Sequence, residues 1–154
     1  VTAIESINIL IEEKFSEKAH KIEKELKENF EKLKVKYPYI ISEYRGSGAV
    51  YGLFIKEQSK IFDKLINLIP SELFKDKRFL SKLVLASIIS ELYSKHSMLS
   101  FTSLGKDLHL IISPPLLATK EEIKSLFNAL DDTLNNGIIK LVMKFAKKKF
   151  LNKR

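Results

Sequence analysis

Few side chains in this sequence could carry chemistry, and they are scattered. The 154 residues include no cysteine, which removes disulfides, thiolate metal sites and cysteine nucleophiles at once. The three histidines, His20, His96 and His109, stand far apart, and none has a partner at metal-ligand spacing, so no metal is expected. His109 falls among apolar residues of a strand candidate, where a packed or surface imidazole is a simpler reading than a proton carrier. Arg45-Gly46-Ser47-Gly48 holds two glycines but runs into a strand rather than opening a helix, so a tight turn is preferred to a phosphate nest. There is no nucleophile elbow of the G-x-S-x-G kind and no H-E-x-x-H pair. The carboxylates lie mainly on helix faces beside lysines, which gives paired acid–base chemistry little support. Self-contained catalysis is not written in this chain.

The charge balance is +8. Such a balance raises nucleic acid or an acidic surface as a partner. Its distribution argues otherwise. Over residues 14–36 lysines alternate with glutamates, as on a solvated helix face. The excess sits at the end, in Lys140, Lys144, Lys147, Lys148, Lys149, Lys153 and Arg154, and reads first as a basic solvated tail. No apolar run is long enough to span a bilayer, and no signal-peptide pattern is present. The absence of cysteine is compatible with a reducing compartment, and a cytoplasmic location is the expectation. The length is that of one domain. The chain opens Val1-Thr2-Ala3, which points to a trimmed start or to a piece of something longer.

The elements that must position these residues follow from periodicity. Phe15, Ala19, Ile22, Leu26, Phe30 and Leu33 step by three and four, an amphipathic stripe within one long helix over about 3–37 that Pro38 ends. Ile4, Ile7, Ile9, Leu10 and Ile11 are apolar almost all round, so the first turns should be buried against something large. Strands are predicted over 39–44 and 49–55, joined through Arg45 to Gly48, with Gly52 marking a bulge or close packing. Residues 56–69 read as helix up to Pro70, and a second apolar helix follows over about 79–95. Residues 98–102 and 108–113 read as a hairpin that Pro114-Pro115 stop. Thr119 and Glu122 form a capping box for a helix through Leu134. Asn135-Asn136-Gly137 break it before a last basic helix over 138–151. The order helix, two strands, two helices, two strands, two helices is α+β, with a small, mostly antiparallel sheet of about four strands covered by helices.

Three of these pieces, in this order, resemble the C-terminal region of class III pyridoxal-phosphate-dependent aminotransferases of the ornithine, putrescine and acetylornithine type. The long helix ending at Tyr37-Pro38 resembles the family's helix leaving the cofactor domain. Tyr44-Arg45-Gly46-Ser47-Gly48-Ala49-Val50-Tyr51-Gly52-Leu53 resembles its arginine-glycine-x-glycine strand pair. Ile111-Ile112-Ser113-Pro114-Pro115-Leu116, then Thr119 and Glu121-Glu122-Ile123, resembles its double proline and capped final helix. The resemblance runs from about Ile4 to Leu134.

The resemblance implies a single C-terminal, small domain of a larger, homodimeric fold-type-I enzyme. The large domain would hold pyridoxal phosphate through a Schiff-base lysine upstream, and the small domain would pack over the active site and help to close it. Arg45, Gly46, Gly48, Gly52, Pro114 and Pro115 would be structural, with Gly46 and Gly48 turning the chain. No residue here is expected to be catalytic or to bind the cofactor, and the segment alone should be inactive. It also implies an exposed apolar surface where the large domain sits, formed largely by residues 4–11. Two departures stand out. Ile111 occupies a substrate-facing position where many members carry an arginine that engages a substrate carboxylate or pairs with an active-site glutamate. The parent enzyme should therefore recognise a carboxylate elsewhere or take an amine-type or carrier-bound substrate. Residues 67–95 are longer and more apolar than the usual connection, which means an extra contact helix or a longer core helix, the latter preferred. The competing reading is a non-enzymatic basic α+β module that docks an acidic partner or nucleic acid through its last helix.

Overall fold

The structure is a computed structural model that describes residues 2–56, 63–64, 77–103, 105 and 107–148. The predicted first helix is two helices, α1 (Thr2–Glu12) and α2 (Phe15–Lys36). Lys14, with φ of 51°, takes the left-handed conformation between them. Periodicity could not reveal this break, because the four-residue step from Ile11 to Phe15 keeps the apolar stripe in phase across it. The two helices then behave differently. α2 buries Ile22, Leu26, Phe30 and Leu33, whereas α1 buries no residue. Ile4, Ile7, Ile9, Leu10 and Ile11 are between 48% and 69% exposed. α2 stops where Pro38 requires, the Tyr37 N–H closing the last turn on the Leu33 carbonyl.

Strands β1 (Ile41–Ser47) and β2 (Val50–Ile55) form an antiparallel hairpin. β1 runs three residues beyond its predicted end, so the turn is Gly48-Ala49, flanked by the Ser47–Val50 pair. Gly48 has φ of 59°, which a two-residue hairpin turn needs at its first position. Gly46 therefore does not turn the chain, contrary to expectation. It lies within β1 opposite Tyr51, where a Cβ would stand 2.2 Å from the Val50 carbonyl oxygen and 2.7 Å from the tyrosine ring.

The predicted helix over 56–69, with Pro70, lies outside the described residues except that Lys56 is non-helical and 63–64 are helical. The longer connection expected from residue 67 also lies outside them as far as residue 76. Helix α3 (Lys77–His96) follows, then β3 (Phe101–Thr102) and β4 (His109–Ile112). β3 is shorter than the predicted 98–102 because Ser97 and Met98 finish α3 instead and residues 99–100 are irregular. There Ser97, at φ of 55°, donates its N–H to the Tyr93 carbonyl, and Met98 donates to that of Leu92. Helix α4 (Lys120–Asn135) starts at the predicted capping box, with both reciprocal bonds between Thr119 and Glu122 present. Gly137, with φ of 81°, separates it from α5 (Ile138–Ala146), and the chain beyond residue 148 is outside the described residues.

The four strands order β1-β2-β4-β3, each neighbouring pair antiparallel. This is the expected α+β architecture. Tyr51, Leu53, Leu110 and Ile112 point to one face and are almost fully buried. Phe30 of α2 is the hub on that side. It stacks on Tyr44 at 5.1 Å between ring centroids and meets Phe127 of α4 edge-on at 4.9 Å. Leu80, Leu85, Ile88 and Leu92 bring α3 into the same core, and α5 closes it through Leu141 and Val142. The buried Glu91 carboxylate of α3 accepts two bonds from Lys144 of α5, at 2.7 and 2.9 Å, so the buried charge is paired.

Candidate functional site

Strand pairing sets one row of residues across the other face of the sheet. Arg45 pairs with Gly52, Gly52 with Ile111 and Ile111 with Phe101. Three residues singled out from sequence therefore share one line, although 66 positions separate Arg45 from Ile111 in the chain. Arg45 is spent locally. Its guanidinium donates to Glu43 and lies 4.8 Å over the Phe54 ring. That ion pair holds the Glu43 carboxyl below the usual carboxylate range. Phe54 in turn packs on His109 at 4.6 Å.

His109 is fixed from two sides. Its Nδ1–H donates to the Asp107 carbonyl at 2.9 Å, and its ring lies against Gly52. A Cβ on Gly52 would come within 2.6 Å of the imidazole Cδ2, so this glycine exists in the strand to let the ring lie flat. The imidazole is packed and anchored, as the sequence suggests.

Beside this row lies a cavity of about 450 Å³. It sits between the end of α3, the end of β4 and the start of α4. Ile111, Pro114 and Pro115 line it, so the predicted substrate-facing position and the double proline come together here. Arg45 and the glycines do not line it. Its remaining wall includes Met98, Leu99, Ser100, Leu117 and Leu126, none of which sequence reading singled out as site residues. The double proline, which ends β4 and lines the cavity, was the nearest sequence signal.

Among the described residues, Glu122 is the one charged residue in the lining. Its carboxylate accepts from the Thr119 N–H at 2.8 Å and from the Thr119 hydroxyl at 3.0 Å. Those two bonds keep it below the usual carboxylate range, hence ionised at neutral pH. Pyridoxal phosphate requires an amine for the Schiff base, cationic or N–H donors for its phosphate, and an acid for the ring nitrogen. A cavity walled by aliphatic side chains, with one carboxylate already hydrogen-bonded and no cation among the described residues, does not fit that cofactor.

A second polar constellation ties the hairpin to α2. Glu23 receives Lys27 at 2.7 Å, and the Tyr51 hydroxyl donates to it at 3.4 Å. The lysine contact, then the Gly48 N–H, hold its carboxyl down to about 2. Its role is structural: it fastens the turn to the helix. Among the described residues no group of acids, histidines or cysteines could hold a metal, and no helix is long and apolar enough to cross a membrane.

No family model matches the sequence, and no curated protein matches it either. Solved structures do resemble the fold. A transaminase solved with L-Ala superposes with a TM-score of 0.65 at 18% identity, covering 90% of this chain and 28% of its own. An omega-aminotransferase from Paracoccus denitrificans gives 0.64 at 17%, covering 90% of this chain and 26% of its own. Lysine aminotransferase from M. tuberculosis, in the internal aldimine form, gives 0.59 at 16%, over 84% and 23%. The chain thus has the fold of a part of transaminase structures and spans about a quarter of their length.

Proposed function

We propose that this chain is the small, C-terminal domain of a class III pyridoxal-phosphate-dependent aminotransferase, in which it completes and closes the active site. The Schiff-base lysine and the phosphate site belong, on this reading, to a large domain preceding residue 1, and the parent enzyme is a cytoplasmic homodimer. One observation carries the proposal: nearly the whole of this chain, 90% of it, superposes on a quarter or so of a transaminase. The order of the arginine-glycine hairpin, the double proline and the capped helix supports it. So does the uniformly exposed apolar helix α1, a surface that a large domain would bury. The small domain's work is to position and to exclude water, by laying the Ile111 row and the neighbouring cavity against the reacting centre. With isoleucine at that position, the parent is assigned an amine-type or carrier-bound substrate, or carboxylate recognition from another element.

The test is to isolate the natural protein, reduce it with borohydride, and map the reduced pyridoxyl group by peptide sequencing. The expected result is one labelled lysine N-terminal to Val1 and none within residues 1–154. A label on a lysine of this segment would overturn the proposal, as would a natural protein that takes up no pyridoxal phosphate.

A further inference from the structure

The junction between α4 and α5 reads Asn135-Asn136-Gly137, and of the five glycines only Gly137 follows an asparagine. In such a pair the amide nitrogen of the second residue can close a five-membered ring on the asparagine side-chain carbon. Glycine, without a Cβ, puts nothing in the way. Asn136 is exposed, so water and base can reach the pair.

The folded junction holds the reacting groups apart. The Gly137 N–H donates to the Leu134 carbonyl at 3.0 Å, which keeps its proton in place. The Asn136 side-chain amide donates to the Asp132 carbonyl at 2.7 Å, which turns the side chain back along α4. Asn136 keeps helical backbone angles, with φ of −65° and ψ of −16°, and ring closure requires rotation about ψ out of that range. A helix end opens more readily than its middle, because its last carbonyls lack intrahelical partners. Opening this turn breaks both hydrogen bonds and frees ψ.

We propose that Asn136 is a modification site, losing its side-chain amide to water through a cyclic imide with Gly137 at a rate set by opening of the α4–α5 junction. The Gly137 nitrogen gives up its proton to base and bonds to Asn136 Cγ, the Cγ–Nδ2 bond breaks, and ammonia leaves. Water then opens the imide at either carbonyl, leaving an aspartate or an isoaspartate. One water is consumed and one ammonia released, with no oxidant or reductant. The chemistry needs only this junction and water, whatever the parent enzyme does. Its product weakens the junction. A carboxylate cannot donate to the Asp132 carbonyl, and its charge opposes the dipole at the end of α4. An isoaspartate also lengthens the backbone just ahead of α5, which joins the core through Ile138, Leu141 and Val142.

Peptide mapping by mass spectrometry of the natural protein, aged in mildly alkaline buffer with and without urea, tests this. In urea Asn136 should gain one dalton before any other asparagine of residues 1–154. In the folded protein the same conversion should run roughly tenfold or more slower, because only the opened junction reacts. N136Q keeps an amide but would need a six-membered ring, and should not convert. N136D, the product made by substitution, should speed amide hydrogen exchange across the junction about two- to tenfold, the worth of the lost hydrogen bond. Another asparagine converting first in urea, equal rates with and without urea, conversion of N136Q, or unchanged exchange in N136D would each overturn the proposal.

Discussion

The two faces of the sheet are made by the same strands and end differently. On the inner face Tyr51, Leu53, Leu110 and Ile112 are each at most 2% exposed, met by Phe30, Phe127 and their neighbours. On the outer face Phe101 and Val50 are 65% and 55% exposed, and Ile111 and Phe54 are half-buried. A strand with one face in water normally alternates apolar with polar residues. β2, Val50-Tyr51-Gly52-Leu53-Phe54-Ile55, does not alternate, and β4 carries Ile111 outward as readily as Leu110 inward. Side chains of this kind are suited to cover on both faces. The inner face finds its cover within the chain, and α1 and the outer row point to cover from elsewhere.

The contrast can be broken by substitution. F30A removes the hub of the inner face and should cost about 3–5 kcal/mol in denaturant unfolding. I111A, on the outer face, should cost under about 1 kcal/mol in the same measurement. Equal losses would mean that the outer row is also core. The two close-packed glycines sharpen the point. G46A drives a Cβ into the Val50 carbonyl and should cost about 1–3 kcal/mol, because backbone must move. G52A meets only the His109 ring, which can swing away, so its loss should be clearly smaller.

T119A should cost about 1 kcal/mol through the lost cap of α4, read as a lower unfolding midpoint. The smallest effect is in acid. The Glu23 carboxyl is depressed in the folded chain from 4.5 to about 2. Its contribution is therefore present above about pH 4.5 and is lost as pH falls towards 2. E23Q should flatten the fall of the melting temperature across that window and leave the slope at neutral pH unchanged.

Much of this was legible in the sequence, for identifiable reasons. The α2 stripe, the Thr119–Glu122 cap, the Gly137 break and the stop at Pro38 are local signals, each decided within a turn or two of chain. The hairpin was found but its turn misplaced by two residues, because Gly46 and Gly48 look alike in sequence. Only Gly48 takes the positive φ, and what Gly46 accommodates is the Tyr51 ring across the strand pair. The kink at Lys14 was hidden by an unbroken stripe. The outer row and the cavity were not legible, since strand register decides that Arg45, Gly52, Ile111 and Phe101 meet. Of the cavity's wall, Met98, Leu99 and Ser100 fall where a strand was predicted and none formed, and Leu117 falls between elements.

The central claim is that the uncovered apolar surface of this chain seats a cofactor domain. Carbene footprinting of the natural full-length protein against residues 1–154 alone tests it directly. Ile4, Ile7 and Leu10, about half or more exposed here, should lose most of their labelling in the full-length protein, while Phe30 and Leu26 stay unlabelled in both. Equal labelling of α1 in the two samples would contradict the account.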